Sequence, residues 1–93
     1  MMEKYLPIGS VVLLEDGDKT IMIYGRQQLQ VDTQDIYDYV ACLYPEGNLD
    51  KDHTYLFNHD QIREVVFEGF VNDEEKEMLT FLAENENLEQ EFV

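Results

Sequence analysis

The tightest constraint on this chain is a change of period. From Val11 to Phe70, short apolar runs alternate with polar residues and are cut by turn signals every eight to twelve positions; after Asn72 the apolar spacing becomes helical. Period two places successive side chains on opposite faces of a strand, whereas spacing of three and four places them on one face of a helix. Several strands followed by one helix predict an α+β domain: a strongly bent antiparallel sheet or small open barrel of about five strands, with one C-terminal helix.

The runs can be placed individually. Val11–Leu14 follows Pro7, Gly9 and Ser10 and precedes Glu15-Asp16-Gly17-Asp18, so it reads as a strand entering a hairpin whose turn residues tolerate positive φ. Thr20–Tyr24 returns. Arg26–Asp35 is polar and rich in Gln, which leaves strand continuation and a loose crossover both open. Ile36–Tyr44 sets Tyr37, Tyr39, Ala41 and Leu43 on one face and Asp38, Val40, Cys42 and Tyr44 on the other. Pro45-Glu46-Gly47-Asn48 predicts a tight turn. An acidic loop at Leu49–Asp52, a strand at His53–Phe57 and a turn at Asn58-His59-Asp60 follow. The fifth strand is expected over Ile62–Phe70, with Val65 and Phe67 inward and Glu64, Val66 and Glu68 outward. Asn72 is placed as a helix N-cap, with Glu75 positioned to reach back to it. Met78, Leu79, Phe81 and Leu82 form the apolar stripe, and Leu88 and Phe92 are spaced four apart among glutamates.

One domain spanning 1–93 accommodates all of this, with strands within 8–70, the helix at about 73–84 and an acidic tail at 85–93. A chain of this length buries roughly 60–65% of its unfolded surface, which supports one thin core. The eleven aromatic residues oppose general disorder. Four of the six tyrosines are assigned to the core, their hydroxyls reaching the surface.

Charge narrows the partners. Twenty-one acidic against six basic side chains give a net charge of −15. Nucleic acid and anionic membrane are disfavoured partners, because both require clustered Lys and Arg. A basic protein is steered toward such a surface and held less well in high salt. The start of the chain shows no apolar signal segment, so the expected location is cytoplasmic.

Catalytic and metal chemistry find little support. The sole serine, Ser10, lies in a turn without a nucleophile elbow, and Cys42 sits in an apolar run where a free cysteine packs as a small hydrophobe. The five glycines are scattered singly, so no phosphate-binding loop forms. His53 and His59, with Asp50, Asp52 and Asp60 nearby, are weak candidates for a metal or small-ligand site, but they match no recognised ligand spacing. The expectation is a non-enzymatic protein with no cofactor. Tyrosine favours interfaces because it joins a large apolar face to a hydroxyl. On that ground Tyr44 with Pro45, Glu46 and Asn48 is the first interface candidate, and Tyr5-Leu6 the second.

Tyr5-Leu6-Pro7-Ile8-Gly9-Ser10 leading into Val11–Leu14, then Met22–Arg26, Asp38–Asn48, Tyr55–His59 and Ile62–Gly69, resembles a family of small bacterial proteins, domain-of-unknown-function family 4176. The resemblance runs from about Tyr5 to Leu82. It implies a setting beside toxins of the type VII secretion system, hence a role as adaptor, targeting factor or chaperone whose partner is a secreted toxin or its helical companion. It supplies no catalytic residues. Its motifs are densest outside the core at Pro45–Asn48 and Asn58-His59, which adds Asn58 and His59 to the interface candidates, although both segments also suit plain turn geometry. Two other readings stay open: an immunity-like or nucleic-acid-mimicking inhibitor of a basic protein, and a small-ligand or metal-binding module. Oligomeric state is not legible.

Overall fold

The computed structural model describes residues 5–92, with side chains described as far as Glu84. Five strands form one antiparallel sheet: β1 (Val11–Leu14), β2 (Ile21–Gln30), β3 (Asp35–Leu43), β4 (Thr54–Phe57) and β5 (Ile62–Phe67), followed by helix α1 (Asp73–Phe92). The order across the sheet is β4-β3-β2-β1-β5, so β4 and β5 are its two edges.

That order forces the sheet to roll. Laid flat, β4 and β5 would lie four strand spacings apart, about 19 Å. The link from Phe57 to Ile62 is residues 58–61, most of them a 3-10 turn at His59–Gln61. Even at full extension those steps reach roughly 17 Å. The sheet therefore curls until its edges approach, giving the expected bent, unclosed barrel.

The interior follows the alternation. Val12, Ile21, Ile23, Tyr39, Ala41 and Phe57 share the inner face, and Tyr5 and Leu82 pack onto them. Leu79 joins the same cluster, while Met78 and Phe81 are exposed, so only part of the expected helical stripe is core. Val11, Val40 and Cys42 are also buried but lie outside that cluster.

Several local expectations change. The first hairpin is present, in the register Val11↔Met22, but its turn is closed by Gly17 N–H donating to Leu14 O at 3.1 Å. Gly17 thus takes the fourth turn position, where positive φ is not needed. The Gln-rich stretch continues β2 to Gln30, pairing Leu29 with Ile36 and Gln30 with Asp35. The Pro45 turn closes with Gly47 N–H to Leu43 O at 2.8 Å and a φ of 88° at Gly47, after a cis Tyr44–Pro45 peptide. The loop at Leu49–Asp52 runs into a 3-10 turn at Lys51–His53 capped by the Asp50 side chain.

The fifth strand departs furthest. It ends at Phe67, and Val65 and Phe67 are exposed instead of inward. Its pairing with β1 slips from Val11↔Phe67 to Val12↔Val65, and again from Leu13↔Glu64 to Leu14↔Ile62. Val66 and Arg63 are the extra residues, and such bulges break the period-two relation. Beyond it, Gly69 lies against the backbone of Ile8–Ser10, and its N–H donates to Ser10 Oγ at 3.0 Å. A Cβ on Gly69 would strike the Ile8 carbonyl oxygen and lie 3.0 Å from Ser10 N. Gly69→Ala is therefore expected to cost about 2 kcal/mol through overpacking. Urea denaturation checks this, and an unchanged midpoint would mean that the two segments part freely.

At the helix start, Asn72 Oδ1 accepts Glu75 N–H at 2.9 Å, the expected N-cap. The Glu75 carboxylate does not reach back as a capping box requires; it pairs with Arg26 instead. The helical backbone continues through Asn85 to Phe92, in place of the acidic tail expected from residue 85. Leu, Glu and Gln dominate residues 86–91, and their helix propensity outweighs the small penalty of two asparagines. The spacing of the Leu88 and Phe92 side chains lies outside the described residues.

Candidate functional site

The barrel's polar detail gathers around Tyr39 on β3, which is fully buried. Tyr5 meets its ring edge-on at 5.9 Å between centroids, and the Phe57 and His59 rings lie at 5.3 and 5.8 Å. Its hydroxyl accepts the Leu6 amide at 2.9 Å and shares a 2.7 Å hydrogen bond with His59 Nδ1. Burial pushes the phenol's pKa up to about 12, aided by the Asp38 carboxylate and opposed by the Leu6 amide and Arg26.

The turn after β4 is locked to β3 from both sides. Asp38 Oδ2 accepts His59 N–H at 2.8 Å, and Asn58 Oδ1 accepts Asp38 N–H at 3.0 Å. Gln61 Oε1 accepts Asn58 N–H at 2.8 Å. Asn58 and His59 thus hold backbone and core in place, which accounts for their position in a turn. Beside them, Gln27 has a φ of 50° and its amide donates to Tyr5 Oη at 3.1 Å and to Leu82 O at 2.6 Å, tying helix and N-terminal segment to the β2 bend.

The other candidates scatter. Tyr5 is a core residue and Leu6 is half-buried beside it, so neither offers the open apolar surface expected of an interface. Tyr44, Pro45, Glu46 and Asn48 remain exposed, and Glu46 pairs with Lys19 at 2.9 Å. That pairing holds the Glu46 carboxyl below the usual range. His53 pairs with Asp50 at 2.7 Å on the surface, and the imidazole likewise holds the Asp50 carboxyl low. The two histidines therefore serve separate partners, and among the described residues no group of three or more His, Cys, Asp or Glu is placed to hold a metal. Only Tyr5 and Tyr39 of the six tyrosines are fully buried, fewer than the four assigned from sequence; Tyr24, Tyr44 and Tyr55 are exposed. Ser10 is buried, with its hydroxyl engaged by Gly69.

Two surface features were not singled out in the sequence. One is an open depression of about 490 Å³ lined by Leu14, Glu15, Asp16, Gly17, Asp60 and Gln61. The other is the exit of β5, where Val65, Val66, Phe67, Phe70 and Val71 are 44–78% exposed. The sequence did carry a sign of the second: apolar residues occupy both alternating sets between Glu64 and Glu68, which a strand with one covered face does not need.

Fold and surface together define a small α+β protein: an open, rolled five-stranded antiparallel sheet with one C-terminal helix. Residues 5–78 match the family model described as Domain of unknown function (DUF4176), and the chain belongs to that family. No curated protein and no solved structure matches it. No helix among the described residues is long and apolar enough to cross a membrane.

Proposed function

We propose that this chain is a non-enzymatic accessory factor that binds a basic protein. The supporting observation is electrostatic. Against a net charge of −15, only Glu46 and Glu75 among the described residues pair with Lys or Arg, while Asp50 shares a hydrogen bond with His53. Most of the remaining described carboxylates carry their charge without a cationic partner, and such a field speeds encounter with a cationic surface and repels nucleic acid and anionic lipid. The more specific role, adaptor or chaperone of a type VII secretion toxin in the cytoplasm, rests on the family resemblance.

The test is an affinity pull-down of the tagged chain from its native cytosol, with mass spectrometry of the retained proteins. A secretion toxin or its helical companion, held in low salt and released in high salt, is the expected result. An activity assay on the captured toxin separates an adaptor, which leaves activity intact, from an inhibitor, which abolishes it. If nothing specific is retained at either salt, the proposal falls.

A further inference from the structure

Between Val65 and Val71 the chain exposes five large apolar side chains: Val65 (45%), Val66 (49%), Phe67 (61%), Phe70 (78%) and Val71 (44%). Exposed apolar residues scattered singly are ordinary, but five within seven positions concentrate apolar surface along one strip of chain, and such surface marks interaction sites. Within it Phe67 lies opposite Val11, on the other face of β5 from Val65, which lies opposite the inward Val12. Its rim is acidic: Glu64, Glu68, Asp73 and Glu74 are exposed. None of the four is in an ion pair among the described residues. Arg63, the basic residue at the edge of the strip, is turned away, donating to Gly17 O at 3.0 Å.

We propose that this strip is the docking surface for a cationic amphipathic helix of a partner protein, with apolar side chains seated on Phe67 and Phe70 and Lys or Arg over the acidic rim. This rests on the protein-binding reading above and names its surface. Two observations select that occupant. Charge complementarity requires basic flanks, and it opposes a second copy, which would bring another −15 against the same rim. The bulges at Arg63 and Val66 break the β1–β5 ladder, and such bulges twist an edge strand away from regular pairing, so recognition through an added strand is disfavoured and side-chain contact with a helix is favoured.

The probe is a synthetic Leu/Lys peptide about five helical turns long, amphipathic at helical period, titrated into the full chain at moderate salt and followed by fluorescence anisotropy and amide chemical shifts. Shifts clustered at residues 64–74 are expected. Phe67→Ser/Phe70→Ser, which leaves the net charge untouched, should weaken binding by about tenfold or more. Glu64→Lys/Glu68→Lys, which leaves the apolar strip intact, should also weaken it. A Lys/Ser peptide of equal charge should bind poorly to every form. The proposal is overturned if the Ser double variant, folded by circular dichroism, binds the Leu/Lys peptide as wild type does. It is overturned equally if the Lys/Ser peptide binds as well, or if sedimentation shows a dimer that the Ser variant dissolves. Repeating the native pull-down with the Ser variant separates the two ideas: a toxin captured equally by both forms removes this surface but leaves protein binding standing.

Discussion

Glu75→Gln is expected to destabilise the protein by about 3 kcal/mol, because it strands a buried guanidinium. Arg26 and Glu75 pair through two hydrogen bonds of 2.6 and 2.9 Å, with side chains only 6% and 11% exposed. The same guanidinium donates to Leu6 O at 3.2 Å, so one residue of β2 fastens both the N-terminal segment and α1. Removing the carboxylate's charge leaves Arg26 with a carbonyl and a neutral amide in a site built for an anion. A buried pair is weak support for stability in itself, and replacing both partners by apolar residues removes the desolvation cost along with the attraction. The double variant Arg26→Met/Glu75→Leu should therefore recover most of the loss. Urea denaturation of the three forms checks this. A single variant within 0.5 kcal/mol of wild type, a difference of order the noise between surface substitutions, would mean that water already reaches the pair.

Tyr39 should show the second large effect. Tyr39→Ala removes a fully buried ring that three other rings touch, for an expected loss of about 3–5 kcal/mol. Tyr39→Phe keeps the ring but takes the acceptor from the Leu6 amide and the partner from His59, for about 1–3 kcal/mol. The hydroxyl also carries a pH signature. Its pKa is raised from 10.0 to about 12 on folding, so between those values the native state holds a proton that the unfolded chain has released. Stability from this group is complete below pH 10 and is lost as pH rises through about 12, for a total of order 3 kcal/mol. Because Phe cannot ionise, the advantage of wild type over Tyr39→Phe should shrink across that window. A constant difference between pH 9 and 12 would place the phenol in contact with solvent.

Much of the fold was legible because it is local. Alternation from Tyr37 to Leu43 set Tyr39 and Ala41 on one face and Val40 and Cys42 on the other, and in the structure the first pair lies in the main core cluster and the second outside it. Asn72 was recognisable as an N-cap because its partner is three residues away. The interface candidates fared differently. Tyr5-Leu6 looked like an exposed apolar pair ahead of a turn, yet Tyr5 packs on Tyr39, thirty-four positions further along the sequence, which no local pattern announces. Asn58 and His59 drew notice as turn residues, but their partners Asp38 and Tyr39 belong to another strand.

By itself, the sequence determined the number of strands and the apolar centre of each, where the helix begins and how strongly negative the molecule is. These follow from period, from capping chemistry over three or four residues and from counting charges. Tertiary structure decided that β5 pairs with β1, which with the short link from β4 rolls the sheet into an open barrel. It also decided that Glu75 turns from its cap to Arg26, that the bulge at Val66 sets Phe67 on the opposite face from Val65, and that both stay exposed on the edge strand. A period of two states that faces alternate but not what covers them. That depends on which distant strand supplies the neighbour, and on whether register is kept along the pair.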